Sequence, residues 1–482
     1  MKSCSKLITI LVFFSNLIVY SQDTHYWSQQ FGTESALMSG AVIGGANDNT
    51  MLFYNPGALG FLDNTSISVN ANAYRIENIS IANALGEKAS FNSKQLGSVP
   101  LLAGGMIDTK NEDWKIAYGF MAPVNFDFKA IARRDGNFDI IATDESPGLE
   151  ELVGESSITN KLSEILVAFG VAHRFNDNWS FGVSNLITVR SHTFNRNYSA
   201  YVFMNDVNST LVGGNLSQNI DYYNVRYAAK LGLSYQKGNW KTGLTITTPS
   251  ISFMGIGTVA SNIAARNLKL IDDERISGVA TDRQAELKTT YKSPFSISGG
   301  VNYNNDKSKI GIAFQYYASI DVYDIMDVAP NTFVRPASLA PELTSDDFMR
   351  AQAAAKDVFN MAVGYEYMLK NDLSLYLSGR SDLTYFDKRL NESNGIKATI
   401  SDWNLYHFAS GITLKKQKSQ LSLGLLYSTG VTNNYEQKGS LNNPAEGNLL
   451  QGSRTITKAS YNSLGFLLGY TFYFKKFELQ ND

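Results

Sequence analysis

The residues able to do chemistry are few. His25, His173, His192 and His407 are the only histidines, and Cys4 is the only cysteine. No metal or nucleotide motif accompanies them, so neither a metal nor a cofactor is expected. Ser191 stands next to His192, but neighbours on a strand point to opposite faces. With His25 ahead of the regular strands and His173 beside a short turn, no nucleophile, base and orienting group can be read together, and no enzyme is expected. The remaining candidates are basic residues in stretches of alternating polarity. If Phe181, Val183, Ile187 and Val189 face outward, Arg190 and His192 face inward. If Leu231, Leu233 and Tyr235 face outward, Arg226 and Lys230 face inward, and Leu373, Leu375 and Leu377 place Arg380 and Asp382 inside in the same way. Arg190, Arg226, Lys230 and Arg380 could together bind a carboxylate head group. The competing role is an internal salt-bridge network with Asp382 and Glu366 as partners.

Composition narrows what can hold such residues. The chain has 482 residues with 42 Lys+Arg against 44 Asp+Glu, a net charge of −2, too balanced for a nucleic-acid binder. Twelve per cent aromatic residues exclude a disordered chain. Residues 1–21 read as a secretory signal peptide: Lys2 and Lys6, an apolar stretch from Leu7 to Tyr20, and a small residue at Ser21. Beyond it, no stretch approaches the ~20 consecutive apolar residues of a spanning helix.

Period-two alternation dominates the rest, as in Leu421–Ser428, Leu464–Phe474 and Ile310–Tyr317. Six tight polar turns, Asp108–Asp113, Phe175–Asn178, Lys237–Asn239, Asn304–Lys307, Lys370–Asp372 and Lys416–Ser419, alternate with seven long connections. The latter lie near 79–94, 134–159, 194–220, 252–283, 326–354, 388–398 and 434–457. Thirteen connections join about 14 antiparallel strands, an all-β outer-membrane barrel with short periplasmic turns and long extracellular loops. Trp114, Trp179 and Trp240 open strands just after short turns, where an aromatic girdle would lie. The barrel proper is expected over 63–482.

Residues 22–62 do not alternate. Their glycines, Gly32, Gly40, Gly44, Gly45, Gly57 and Gly60, suit close packing inside a lumen that a barrel of this size would otherwise leave open. The stretch GTESALMSGAVIGGANDNTMLFYNPGALG resembles the N-terminal hatch of the FadL family of outer-membrane transporters of long-chain fatty acids and other hydrophobic compounds. The family's Asn-Pro-Ala motif stands here as Asn55-Pro56-Gly57-Ala58, with Gly in place of the usual Ala. The hairpin at 98–128, with Pro100 and Ala122-Pro123, looks like the family's second and third strands. The resemblance covers about residues 30–128 and implies a 14-stranded barrel plugged by an N-terminal hatch, with Asn55, Pro56, Gly57 and Ala58 as the hatch or gate residues. It further implies a hydrophobic small-molecule ligand, a monomer surrounded by outer-membrane lipid, and a capture groove between the third and fourth outer loops. Phe203 and Met204 in the third loop, and Phe253, Met254 and Ile256 in the fourth, are the candidate groove residues. The expected function is passive uptake of hydrophobic compounds such as long-chain fatty acids. The alternatives are a surface platform for secretion or attachment, and a general diffusion porin.

Overall fold

The computed structural model describes residues 23–62, 66–107, 109–271, 274–335, 344–392 and 394–474. The expected signal peptide lies outside the described residues. Fourteen strands form the closed wall. They are β1 (Ser66–Gly86), β2 (Ala89–Ile107), β3 (Trp114–Phe138), β4 (Glu150–Arg174), β5 (Trp179–Phe203), β6 (Leu211–Lys237), β7 (Trp240–Thr247), β10 (Ser296–Asn304), β11 (Ser308–Tyr317), β15 (Val358–Lys370), β16 (Leu373–Asp382), β17 (Leu405–Lys416), β18 (Ser419–Ser440) and β19 (Ser453–Tyr473). Each pairs antiparallel with the next, and β19 returns to β1 through Tyr473↔Ser66, so the sheet has no free edge. The hairpin β8 (Ile251–Ile271) and β9 (Glu274–Lys288) rises from the ends of β7 and β10, with β8 continuing along β6. Short segments β12 (Ile320–Asp324), β13 (Val334–Arg335) and β14 (Gln352–Ala355) lie in the connection between β11 and β15.

The alternation read from the sequence is the wall's inside–outside pattern. Ile310, Ile312, Phe314, Leu464, Phe466 and Leu468 are exposed on the outer face, and their neighbours are mostly buried. Trp114, Trp179 and Trp240 are exposed at the starts of β3, β5 and β7 and form the girdle at the short-turn end. An outward apolar surface of this extent is stable only against lipid. No helix of the described residues is long and apolar enough to cross a membrane; the chain crosses with strands.

The long connections differ from the expectation of loops. β3, β4 and β5 have 25 residues each and β6 has 27, whereas a spanning strand needs about 9–11. The surplus continues the hairpins outward, so most of 79–94, 134–159, 194–220 and 252–283 is strand, with tips as short as Glu87-Lys88. These stretches were not legible as strands because their outer faces are polar above the membrane, which removes the one-sided apolar signal. On the opposite side β10, β11, β16 and β17 have only 9, 10, 10 and 12 residues, and irregular chain covers the rim there. The connection between β11 and β15 also carries one short turn of helix, Ser345–Met349, that begins after Thr344.

Outer hairpins are tied by a charged clamp. Arg275 on β9 donates from Nε to Glu145 at 2.7 Å and from Nη1 to Glu446 at 2.6 Å, joining three connections. Bonds from Lys269 and then Arg275 hold the Glu145 carboxyl below its ordinary range. A lowered carboxylate stabilises above its unfolded value, so the clamp is complete at neutral pH and weakens only as pH falls below the usual carboxylate range.

Candidate functional site

Residues 23–62 lie inside the wall, and of these only Asn47 is exposed. The segment makes one turn of helix, Met51–Tyr54, and a 3-10 stretch, Pro56–Phe61, and otherwise needs partners for its main chain. The wall supplies them. Asn302 Nδ2 donates to the Ala41 carbonyl at 2.8 Å, Ser378 Oγ to Leu37 at 2.7 Å, and Ser184 Oγ to Leu52 at 2.7 Å. Asn55 turns both ways: its Nδ2 donates to the carbonyls of Ile43 (2.8 Å) and Leu233 (3.2 Å), while its Oδ1 accepts from Gly57 N at 3.0 Å. Wall glycines let the segment approach this closely. A Cβ on Gly182 would collide with the Pro56 carbonyl, one on Gly243 with that of Ile43, and one on Gly311 with that of Ala41. A buried ion pair, Lys309 with Glu34, joins segment and wall by charge.

Two apolar cores result. One, built on Leu37, Met38, Leu52, Leu59 and Leu166, surrounds this segment; the other, with Phe91, Phe128, Tyr198 and Val202, fills the space between the outer hairpins. Between them lies a cavity of ≈ 180 Å³, room for on the order of a dozen waters. Its walls include Tyr26, Phe53, Tyr291, Tyr317, Tyr323 and Tyr385, and Tyr26 stacks between Tyr317 (4.1 Å) and Tyr385 (4.5 Å). Pro123 and Val124 reach it from β3, at a break in the wall. The β2–β3 ladder ends at Leu102↔Met121, and the β3–β4 register shifts between Met121 and Val124.

Of the four inward cations, three line this cavity: Arg190, Arg226 and Lys230. Glu164 Oε1 accepts from Arg190 Nη1 and from Arg226 Nη2, each at 2.8 Å, with all three side chains 7% exposed. Arg190 stacks over Tyr291 at 3.8 Å and also donates to the Tyr222 hydroxyl. Arg226 donates from Nε to Ser293 Oγ at 2.7 Å, but its Nη1 is buried without a hydrogen-bond partner. Two guanidiniums share one carboxylate, leaving an excess positive charge and one unpartnered donor in the wall of an aromatic chamber. Lys230 is occupied, donating to the Phe53 carbonyl at 2.6 Å and lying over its ring. Arg380 does not line the cavity; it donates to the carbonyls of Trp27 and Ser28 and fastens the start of the segment. Asp382 accepts from Trp27 N, and Glu366 pairs with Lys415, so neither neutralises Arg190 or Arg226. Glu164 was missed in the sequence. Alternation with Ile165, Val167 and Phe169 outward would have placed it on the inner face between Leu162 and Leu166.

The five groove candidates are not brought together. Phe203 is exposed at the tip of β5, paired with Leu211, and Met204 is buried beneath that tip. Phe253, Met254 and Ile256 are exposed low on β8, where Met254 pairs with Val225. From Leu211 to Val225 along β6 is roughly 45 Å at about 3.3 Å per residue.

Ser428, His407 and Asp382 fall in line, His407 Nδ1 being 2.6 Å from Ser428 Oγ and Nε2 3.4 Å from Asp382 Oδ2. All three are buried, none lines the cavity, and Asp382 is engaged by Trp27, so the line braces segment and wall. His192 Nε2 donates to Asn160 Oδ1 inside the wall, while Ser191 is exposed outside it.

No family model and no curated protein matches the sequence. Solved structures do match in fold. A FadL homologue from Pseudomonas aeruginosa superimposes with a TM-score of 0.59 at 13% identity, covering 94% of this chain and 100% of that one. The toluene transporter TodX of Pseudomonas putida gives 0.55 at 11% identity, covering 93% and 99%. The monoaromatic hydrocarbon channel CymD gives 0.53 at 10% identity, covering 92% and 98%. The fold is that of FadL-type channels, a multi-pass barrel of an outer membrane.

Proposed function

We propose that this barrel is a channel for passive uptake of hydrophobic compounds that carry an acidic head group, with long-chain fatty acids as the leading class. One observation carries the reading: Arg226 lines a chamber walled by aromatic rings, and its Nη1 is buried without a hydrogen-bond partner. A carboxylate there would gain charge-assisted hydrogen bonds in a site already stripped of water, and the rings would hold the apolar part. The fold neighbours include a toluene transporter and a hydrocarbon channel, which supports an apolar cargo. Residues 23–62 then act as the hatch, and Asn55–Ala58 as the stretch whose movement releases the ligand. Because Pro123 and Val124 border the chamber at the break between β2 and β3, a short movement of Phe53 and its neighbours would open a path to the wall.

Extraction tests this. Barrel purified from the outer membrane should release a bound acidic lipid or hydrocarbon on mass spectrometry, and barrel carrying Arg226→Met and Lys230→Met should release far less of it. Only bulk phospholipid and detergent in both samples would favour the platform role instead.

A further inference from the structure

The outer surface of the wall has a recess of its own. A notch of ≈ 420 Å³ is lined by Ser191, Asp221, Tyr223, Ile256, Thr258 and Arg283. It faces away from the lumen: Ser191, Asp221, Tyr223, Ile256 and Arg283 are exposed, whereas the intervening His192 and Gly257 are buried. A bulge makes the room. The β8–β9 register passes from Gly257↔Leu287 to Val259↔Gln284, so Thr258 stands against two residues, Ala285 and Glu286, and β9 is bulged there.

Its height on the wall identifies its surroundings. Ser191, Tyr223 and Ile256 form one row across β5, β6 and β8. Below that row the outward residues are apolar, with Val189, Ile251, Phe253 and Met254 exposed. Above it they turn polar, as at Thr193, Asn195 and Asn219. The notch therefore opens where acyl chains give way to head groups, on the side of the long hairpins.

Its chemistry is mixed. Neither the Arg283 guanidinium nor the Asp221 carboxylate has an ion-pair or hydrogen-bond partner among the described residues, and the hydroxyls of Ser191 and Thr258 lie beside them. A bare phosphate would suit Arg283 but be repelled by Asp221. A phosphorylated sugar suits both, since its phosphate can be bound by the guanidinium while its hydroxyls donate to the carboxylate. We infer that the notch seats one outer-leaflet glycolipid by its phosphorylated sugar head, with the acyl chains lying along Ile251, Phe253, Met254 and Ile256. Tyr223 sits at the interface level that such rings favour. This site is independent of the chamber inside the barrel.

Native mass spectrometry of the detergent-solubilised full barrel, titrated with lipid A (a phosphorylated, acylated glucosamine disaccharide), tests the inference. One lipid A should be retained per barrel. Arg283→Ala and Asp221→Ala, both exposed changes, should each weaken retention roughly tenfold, the loss of one charge-assisted contact. Arg133→Ala, on the exposed face of β3, should leave it unchanged. Equal retention by Arg283→Ala, tighter retention by Asp221→Ala, or phosphatidylethanolamine bound as firmly as lipid A would each overturn it.

Discussion

Replacing Gly243 with valine should open the barrel to ions while the wall still folds. Gly243 pairs with Ser234 and Gly300, positions where a β-branched residue suits the strand. Its missing side chain is what admits the Ile43 carbonyl and the Asn55 amide, and a Cβ there would meet both. The chain between Ala41 and Asn55 would have to leave the wall, losing the bonds from Asn302 and Asn55 that hold it. A 14-stranded lumen is intermediate between filled eight-stranded barrels and open porins, so displacing its filling should raise conductance roughly tenfold or more. Gly299→Val is the control. A Cβ at Gly299 comes no nearer than 3.8 Å to the Gly243 carbonyl and touches nothing of the N-terminal segment. Planar-bilayer recordings of the two variants should therefore differ. A folded Gly243→Val barrel as closed as the Gly299→Val control would mean that the segment does not seal the lumen.

The second large effect concerns the chamber. Arg226→Met should cost binding of a long-chain acid about 2–5 kcal/mol, about 30-fold or more in Kd, because it removes a desolvated charge partner. The variant should still fold, since Glu164 keeps Arg190 at 2.8 Å. Binding of the methyl ester of the same acid should change little, because the aromatic walls are untouched. Glu164→Gln should behave in the opposite way. It leaves two buried guanidiniums without their shared carboxylate, a loss of about 3–5 kcal/mol for a broken buried pair. A ligand carboxylate can then supply the missing charge, so added acid should raise the Tm of Glu164→Gln more than that of the wild type. Equal loss of acid and ester binding in Arg226→Met would place the head group elsewhere.

Much of this arrangement is written in strand periodicity. Leu231, Leu233 and Tyr235 on one face fix Arg226 and Lys230 on the other, and the structure has that pattern. The wall count follows from the alternation of short turns and long connections, and Trp114, Trp179 and Trp240 mark one rim. Periodicity is a local signal, however, and it fades where both faces are polar. The outward continuation of β3 to β6 therefore reads as loop in the sequence. The same locality explains Phe203 and Phe253: chain order puts them in neighbouring connections, but β6 separates them along its length. Which cations a carboxylate neutralises is a property of three-dimensional register. Glu164 lies opposite Arg190 on β5, and Arg226 is one strand further on, facing Thr188. Arg380, equally basic and equally inward, instead holds the main chain at Trp27 and Ser28.

The proposed passage of an acidic hydrophobic compound through this barrel runs by way of Arg226. Its most direct test is the rate at which a long-chain fatty acid enters liposomes containing the purified barrel, measured without nucleotide or ion gradient. The wild-type barrel should speed entry, Arg226→Met should slow entry of the acid at limiting concentration but not that of its methyl ester, and neither should conduct ions freely. Entry of the acid at one and the same rate with wild-type barrel, with Arg226→Met and with no barrel would contradict the claim.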